Sequence, residues 1–281
     1  MYKIVSKKVL NSVTKMLVVR APEIAKVCRP GQFVMVRANE TGERIPLTIA
    51  DFSRERGLIT IVFQEVGKST RLLGSLKRGE YIQDFVGPLG KPSPTDKKYG
   101  TVVAIGGGCG SAIVYPVARA FKEAGNYLIT INGARTMELL LYKKQMREIS
   151  DEFYVTTDDG SCGVHGFVTT VLGELIQNDR KIDLVFAVGP VPMMKFVSKT
   201  TEAKKIPTLV SLNSIMVDGT GMCGACRVSV DGQMKFACVD GPEFDGHKVD
   251  FQELMGRLNA YRTYEAESDK RWTAQHGGET Q

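Results

Sequence analysis

No apolar run in the chain approaches the ~20 residues of a membrane-spanning helix, and the opening decapeptide MYKIVSKKVL lacks the apolar centre of a secretory signal. Cysteine is sparse, six in 281 residues, and half of it is clustered, which excludes a disulfide framework. These absences point to the cytoplasm and to no membrane partner. Lys and Arg are dispersed, and no basic stripe carries interleaved aromatics. That dispersal speaks against nucleic acid, and a net charge of +6 with pI about 8.9 suits nucleotide cofactors or acidic protein partners just as well. Internal repeats are absent too.

What is present is enough apolar mass for more than one core, 43% hydrophobic against 24% charged. The length predicts two domains with an appended piece. Residues 1–97 carry short β-branched and aromatic runs between turn signals: MYKIVSKKVL, TKMLVVRAP, GQFVMVRA, PLTIADF, GLITIVFQEVG and EYIQDFVGP. Their even spacing predicts a small antiparallel β-barrel, and GPLGKPSP at 87–94 marks its end.

From 98 to 208 the pattern alternates strand and helix. TVVAIGGG reads as a buried strand entering a glycine loop, SAIVYPVARAFKEAG as a helix, NYLITINGAR as a strand, and LLLYKKQMREIS and GFVTTVLGELIQ as helices. KIDLVFAVGP is a further strand. Such alternation predicts a parallel sheet with helices on both faces. Pro116 removes a backbone donor, so the first helix is expected to start late or kink.

AIGGGCGSA follows a strand and opens a helix, which is the context of a pyrophosphate site. A tight strand-to-helix turn is the plainer alternative. Arg135 in NGAR and Gly189 and Pro190 in AVGPVPMM also end strands, where ligands of such sheets bind. In the barrel half, Arg44 opens RIPLT, and GKST (Gly67, Lys68, Ser69, Thr70) starts a short helix. That start can serve as an N-cap or as an anion site.

Cys223, Cys226 and Cys238 fall within 16 residues, in the segment 209–249, and Asp218 lies five residues before the first. Thiolates so spaced converge when a metal or cluster holds them. An iron–sulfur cluster is expected. Zinc is the competing metal, with His247 as a possible further ligand, and would make the chain a zinc-stabilised nucleotide-binding regulatory protein. Cys28, Cys109 and Cys162 stand alone, and His165 reads as a loop hydrogen-bonder. From 250 to 281 a helical tail carries Phe251, Leu254, Leu258 and Tyr261 at helical spacing, before a final QHGGETQ expected to be disordered.

RIPLT, GKST, GGGCG, GAR, TDDGSCGVHGFVT, VGPVPMM and the closing CVDGPEFD together resemble the ferredoxin–NADP reductase superfamily. Within it they are similar to the electron-transfer subunits of dihydroorotate dehydrogenase, and more so to the small (alpha) subunits of electron-bifurcating NADH-dependent reduced ferredoxin:NADP+ oxidoreductases. The resemblance implies FAD in the barrel, NAD(H) in the sheet domain and a 2Fe–2S cluster. It implies flavin contacts from Arg44, Pro46, Leu47 and Thr48, with Gly67, Lys68, Ser69 and Thr70 on the flavin pyrophosphate. Gly106, Gly107, Gly108, Gly110, Arg135, Asp158, Asp159, Gly189 and Pro190 would surround the nicotinamide nucleotide. It also implies a larger partner subunit with flavin and 4Fe–4S clusters that binds NADP(H), with ferredoxin reached through the complex. The chain departs from the family at Leu47, where a tyrosine is usual, at Val188, where a cysteine precedes Gly-Pro, and at Asp218, where the first cluster cysteine would stand. No side chain is then expected to act as an acid–base catalyst.

Overall fold

Alternation of buried and open positions shapes the first half of the chain. A computed structural model describes residues 1–276. Seven strands, β1 (Tyr2–Val9), β2 (Thr14–Arg20), β3 (Phe33–Arg37), β4 (Ile45–Ser53), β5 (Leu58–Gln64), β6 (Tyr81–Ile82) and β7 (Asp84–Leu89), form one antiparallel sheet. Its order is β6-β1-β2-β5-β4-β3-β7, with helices α1 (Pro22–Val27) and α2 (Lys68–Ser75) between strands. Ile4, Leu17, Val34, Ile49, Ile61 and Phe85 come from six of those strands and meet in one core. The sheet therefore curls around its own apolar face, as a barrel does.

The second half is a doubly covered sheet. Its parallel strands are β8 (Thr101–Gly107), β9 (Tyr127–Ala134), β10 (Glu152–Thr157), β11 (Val164–His165), β12 (Leu184–Val188) and β13 (Thr208–Ser211). Helices α3 (Gly110–Glu123), α4 (Lys143–Ile149), α5 (Val168–Gln177) and α6 (Val191–Glu202) cover its faces. Val103, Ile105, Ile129 and Ile131 pack with α5 and α6. Their strand neighbours Val102, Ala104 and Leu128 pack with Val114, Val117 and Phe121 of α3. Successive strand residues thus serve opposite faces, which is why these strands read as unbroken apolar runs.

Of the two outcomes expected at Pro116, the late start does not occur; α3 runs from Gly110 to Glu123 with the proline inside. One expectation is corrected here. The LLLY stretch is not helical. Residues Met137–Leu139 form a 3-10 turn, Tyr142 adopts φ 56°, and α4 begins only at Lys143.

The cysteine segment is stitched into the sheet at both ends. It leaves from β13, makes a hairpin of β14 (Arg227–Val230) and β15 (Gln233–Phe236), and returns as β16 (Glu243–Asp245). β16 pairs antiparallel with β13, Val210 opposite Phe244 and Ser211 opposite Glu243. The expected 208/209 division falls inside β13, whose residues Thr208, Leu209 and Val210 pair with β12. Phe251 and Leu254 of α7 (Phe251–Leu258) are buried in the same core, and Leu258 packs on it. Asp250 caps α7 by accepting from the Gln252 and Glu253 N–H groups at 2.9 Å. Tyr261 falls off this stripe and is exposed. Helix α8 (Arg262–His276) reaches back to α2 through an Arg71–Asp269 ion pair of 3.0 Å. Gln275 and His276 of the expected disordered end belong to α8; the rest of that segment lies outside the described residues.

The halves meet at close contacts. Arg119 of α3 pairs with Asp51 of β4 at 2.8 Å, beside an apolar contact of Ala50, Val62 and Ala112. On the other side Glu243 turns its carboxyl toward the Ser93 hydroxyl, which donates to it, and toward Gly31, where an added Cβ would lie 2.6 Å from Oε1. Burial pushes the Glu243 carboxyl up to about 8, against a smaller lowering by Ser93. Between the ordinary 4.5 and about 8, the folded protein holds a proton that the unfolded chain has lost. Stability therefore falls as pH rises through that window and stays low above it. Glu243→Gln should match the wild type in thermal melts at about pH 4 and melt higher at about pH 9. A wild-type advantage at the higher pH would contradict this.

Gly110 lets α3 start hard against β12: a Cβ there would sit 2.2 Å from the Val188 carbonyl oxygen. Gly110→Ala should cost about 1–3 kcal/mol, read as a lower denaturant midpoint at unchanged m-value. An unchanged midpoint would mean that the helix start yields freely.

Candidate functional site

A cavity of about 1040 Å³ lies where the barrel face, the carboxyl ends of the parallel strands and the segment leading to the cysteines come together. Val13, Phe33, Pro46, Thr48 and Gln64 form the barrel wall. Residues 107–110, Ala134, Arg135, Thr156, Asp158 and 188–190 form the sheet wall. Ser211, Leu212, Asn213, Ser214, Met216 and Pro242 form the third. This is the crevice in which open α/β sheets bind ligands. A mostly apolar lining with a few polar groups also suits a ring system joined to a dinucleotide.

The glycine loop is built for close approach. Gly108 adopts φ +57°, and its N–H donates to the Gly133 carbonyl at 2.8 Å. Gly107, Gly108 and Gly110 reach the cavity together with the first turn of α3. A Cβ on Gly107 would lie 2.3 Å from Met193 Sδ. Gly106 sits behind the loop, where a Cβ would meet Ser111 Cα at 2.6 Å, and it does not line the cavity. Arg135, Asp158, Gly189 and Pro190 do line it. Asp159 does not; its carboxylate accepts from the Ser161 N–H (3.0 Å) and hydroxyl (2.6 Å), which hold it below the usual carboxylate range.

On the barrel side, strand alternation sorts RIPLT. Pro46 and Thr48 face the cavity, while Leu47 packs against the barrel core. Arg44 lies 3.6 Å from Asp84, is half exposed and does not line the cavity. Arg37 binds the same Asp84 at 2.6 Å and, with Arg44, holds that carboxyl below its usual range. The GKST helix start also lies off the cavity. Thr70 accepts from the Gly67 N–H at 3.2 Å, the Ser69 hydroxyl donates to Glu43, and Lys68 faces a small pocket beside α8. Sequence reading missed the third wall and the strand-end positions Ala134 and Thr156. The strand ends were findable from the rule already applied to Arg135.

The cysteine loop offers soft donors. Cys226 and Cys238 are buried with their sulfurs 3.1 Å apart. Burial, then neighbouring Cys226, pushes the Cys238 thiol up to about 12, so a thiolate there needs a cation beside it. Cys223 is exposed on the same loop, whose arc turns through positive φ at Gly219, Gly221 and Gly224. Asp218 Oδ2 accepts from the Thr220 N–H and hydroxyl and from the Met222 N–H, which lowers its carboxyl below the usual range. Among the described residues no three such side chains already converge as a metal group. The donor set is nonetheless that of an iron–sulfur site: two adjacent thiols, with a third thiol and a carboxylate on a glycine-rich arc. His247, the rival zinc ligand, instead bonds the Thr201 hydroxyl through Nε2 at 2.8 Å. Cys28 is buried and raised to about 11, and Cys109 borders the cavity and is raised to about 12, both by burial. Cys162 lies 3.3 Å from Lys143 Nζ, and His165 is exposed on β11.

Comparison with known proteins agrees with this layout. The iron–sulfur cluster binding domain of dihydroorotate dehydrogenase B matches residues 213–250, and the oxidoreductase NAD-binding domain matches 104–199. A dihydroorotate dehydrogenase B (NAD(+)) electron transfer subunit homolog of Thermotoga maritima is 52% identical, covering 90% of this chain and 89% of its own. An electron transfer subunit of the same enzyme from Fusobacterium nucleatum is 33% identical, covering 81% and 89%. A chain in the structure of the NADH-dependent reduced ferredoxin-NADP oxidoreductase, determined for insight into flavin-based electron bifurcation, is 49% identical. It superimposes with TM-score 0.91 over 97% of this chain and 98% of that one. An Amycolatopsis cytochrome P450 reductase, 20% identical with TM-score 0.61 over 73% and 66%, shares the fold. No helix among the described residues is long and apolar enough to cross a membrane. The chain belongs to the dihydroorotate dehydrogenase B electron-transfer-subunit family, an oxidoreductase family of ferredoxin–NADP reductase fold.

Proposed function

We propose that this chain is the FAD-, NAD(H)- and 2Fe–2S-carrying subunit of a cytoplasmic, heteromeric NADH-dependent reduced ferredoxin:NADP+ oxidoreductase. The observation that carries the reading is the shared cavity: barrel, sheet and cysteine-segment residues wall one space. Bound FAD supplies a ring that takes an electron pair as hydride and passes electrons on singly. Residues 107–110 and the start of α3 hold the nicotinamide nucleotide's phosphates, and Arg135 and Asp158 orient its ribose. Pro46 and Thr48 set the ring against the nicotinamide, and Lys68, Ser69 and Thr70, off the cavity at the start of α2, are the groups proposed for the flavin pyrophosphate. Val188 lines the cavity where the family carries a cysteine, so orientation does the work and no proton-transferring side chain is required there.

Cys223, Cys226, Cys238 and Asp218 hold the cluster. Val217, Met222 and Val239 expose apolar surface around it, where a larger subunit with flavin, 4Fe–4S clusters and an NADP(H) site docks. Ferredoxin is reached through that subunit. The second reading, an electron-transfer subunit of dihydroorotate dehydrogenase itself, is favoured by the match over 213–250.

Purification from the native cell with subunit and cofactor analysis separates the two. A partner carrying 4Fe–4S clusters and binding NADP(H) supports the proposal; a pyrimidine-pathway dehydrogenase as partner overturns it. For the cluster, Asp218→Asn keeps an oxygen to accept the Thr220 and Met222 hydrogen bonds but removes the anionic ligand. It should lower bound iron and the cluster's visible absorbance while FAD content holds, and Asp218→Cys should restore both. Full iron in Asp218→Asn would remove Asp218 from the ligand set.

A further inference from the structure

Leu212, Ser214 and Met216 alternate along the segment that joins β13 to the cysteine loop. All three are buried, at 4, 4 and 6% exposure, and all three line the cavity. Leu212 and Met216 belong to the core that also holds Phe33 and Met35 of barrel strand β3. A hydroxyl sits in the middle of an apolar row. Its oxygen is one of two buried side-chain oxygens among the described residues without a hydrogen-bond partner; the other, Thr14 Oγ1, does not line the cavity. A buried hydroxyl left unmatched costs about 1–3 kcal/mol, and native folds rarely tolerate one without a reason. Alanine would fill the position without that cost. The segment is also held in place: the Leu212 N–H donates to the Pro242 carbonyl at 2.9 Å, and Ser211 pairs with Glu243.

We infer that Ser214 is a flavin-positioning residue whose hydroxyl hydrogen-bonds a polar edge atom of the FAD ring system from the wall that leads to the cluster. Two features favour the flavin over the nicotinamide. The row packs with Phe33, and Phe33 pairs in register with Thr48 on the barrel wall. The pyrophosphate loop and Arg135 stand on the sheet wall instead. The inference rests on FAD being the cofactor held against the barrel. It deepens that reading by placing a specific donor on the side from which electrons leave, four residues before Asp218.

The test compares full-length wild type with Ser214→Ala, each as apoprotein and with FAD. Ser214→Ala should raise the FAD dissociation constant about tenfold, or about 1.4 kcal/mol, and shift the bound flavin's absorption bands. The signs of the melting changes should differ. The variant apoprotein should melt above the wild-type apoprotein because an unmatched hydroxyl has gone, while its gain in melting temperature on adding FAD should be smaller. A hydroxyl with only a structural role would lower both melts alike and leave the FAD affinity unchanged, which would overturn the assignment. A tenfold loss of NAD+ affinity with unchanged FAD affinity and spectrum would also overturn it, in favour of the nicotinamide. If the wild-type apoprotein itself fails to bind FAD, the flavin reading falls and this assignment falls with it, which a difference between the two proteins keeps distinct.

Discussion

The antiparallel pairing of β13 with β16 is the constraint on which the rest of the site depends. Without it, the cysteine segment would hang from the end of a finished sheet. With it, Ser211 opposite Glu243 and Val210 opposite Phe244 fix both the entry and the exit of the segment within one ladder. The entry becomes a wall of the cavity, and the exit places Pro242 on the same wall and Glu243 against Ser93. The hairpin between them buries Cys226 and Cys238 in the core shared with Phe33 and Met35 of the barrel. One pair of short strands thus ties three functions to one apolar core, and the site is as rigid as that core.

Electrostatics follows from this closeness. Arg44 lies beside Asp84 of the barrel and adds a small lowering to the Asp218 carboxyl, so the barrel's charge is felt at the cysteine loop. Arg119 and Asp51 bind the opposite side of the barrel to α3 through a partly exposed pair. Such a pair adds modestly to stability, and its use lies more in fixing the orientation of two domains around a cavity. The polar α8 touches α2 through Arg71 and Asp269, beside the helix start that carries Lys68.

Much of the architecture was legible because both halves obey simple periods. The barrel strands were marked by β-branched runs between turns, and the parallel strands by continuous apolar runs that serve two faces. Gly107, Gly108, Gly110, Arg135, Gly189 and Pro190 were found because they end strands, and they share one cavity with Asp158, which motif position alone had placed there. Leu47 and Asp159 were placed at a ligand by motif position alone. Strand alternation turns Leu47 into the barrel core, and a local turn occupies Asp159 with Ser161. Pro116 does not delay the helix because a buried helix tolerates a missing donor when packing holds it; Val114, Val117 and Phe121 do so around it. The wall from Ser211 to Met216 was invisible because nothing in its composition separates a linker from a lining. Only the return of β16, a contact distant in sequence, makes it one.

The central claim is that NAD(H), flavin and cluster form one connected path within this chain. Anaerobic titration of the purified, cofactor-replete protein with NADH, followed by visible absorbance and electron paramagnetic resonance, tests it most directly. The account predicts bleaching of the flavin bands together with the signal of a reduced 2Fe–2S cluster. Bound zinc in place of iron, or a flavin that bleaches while an intact cluster stays oxidised through excess NADH and a low-potential reductant alike, would contradict it.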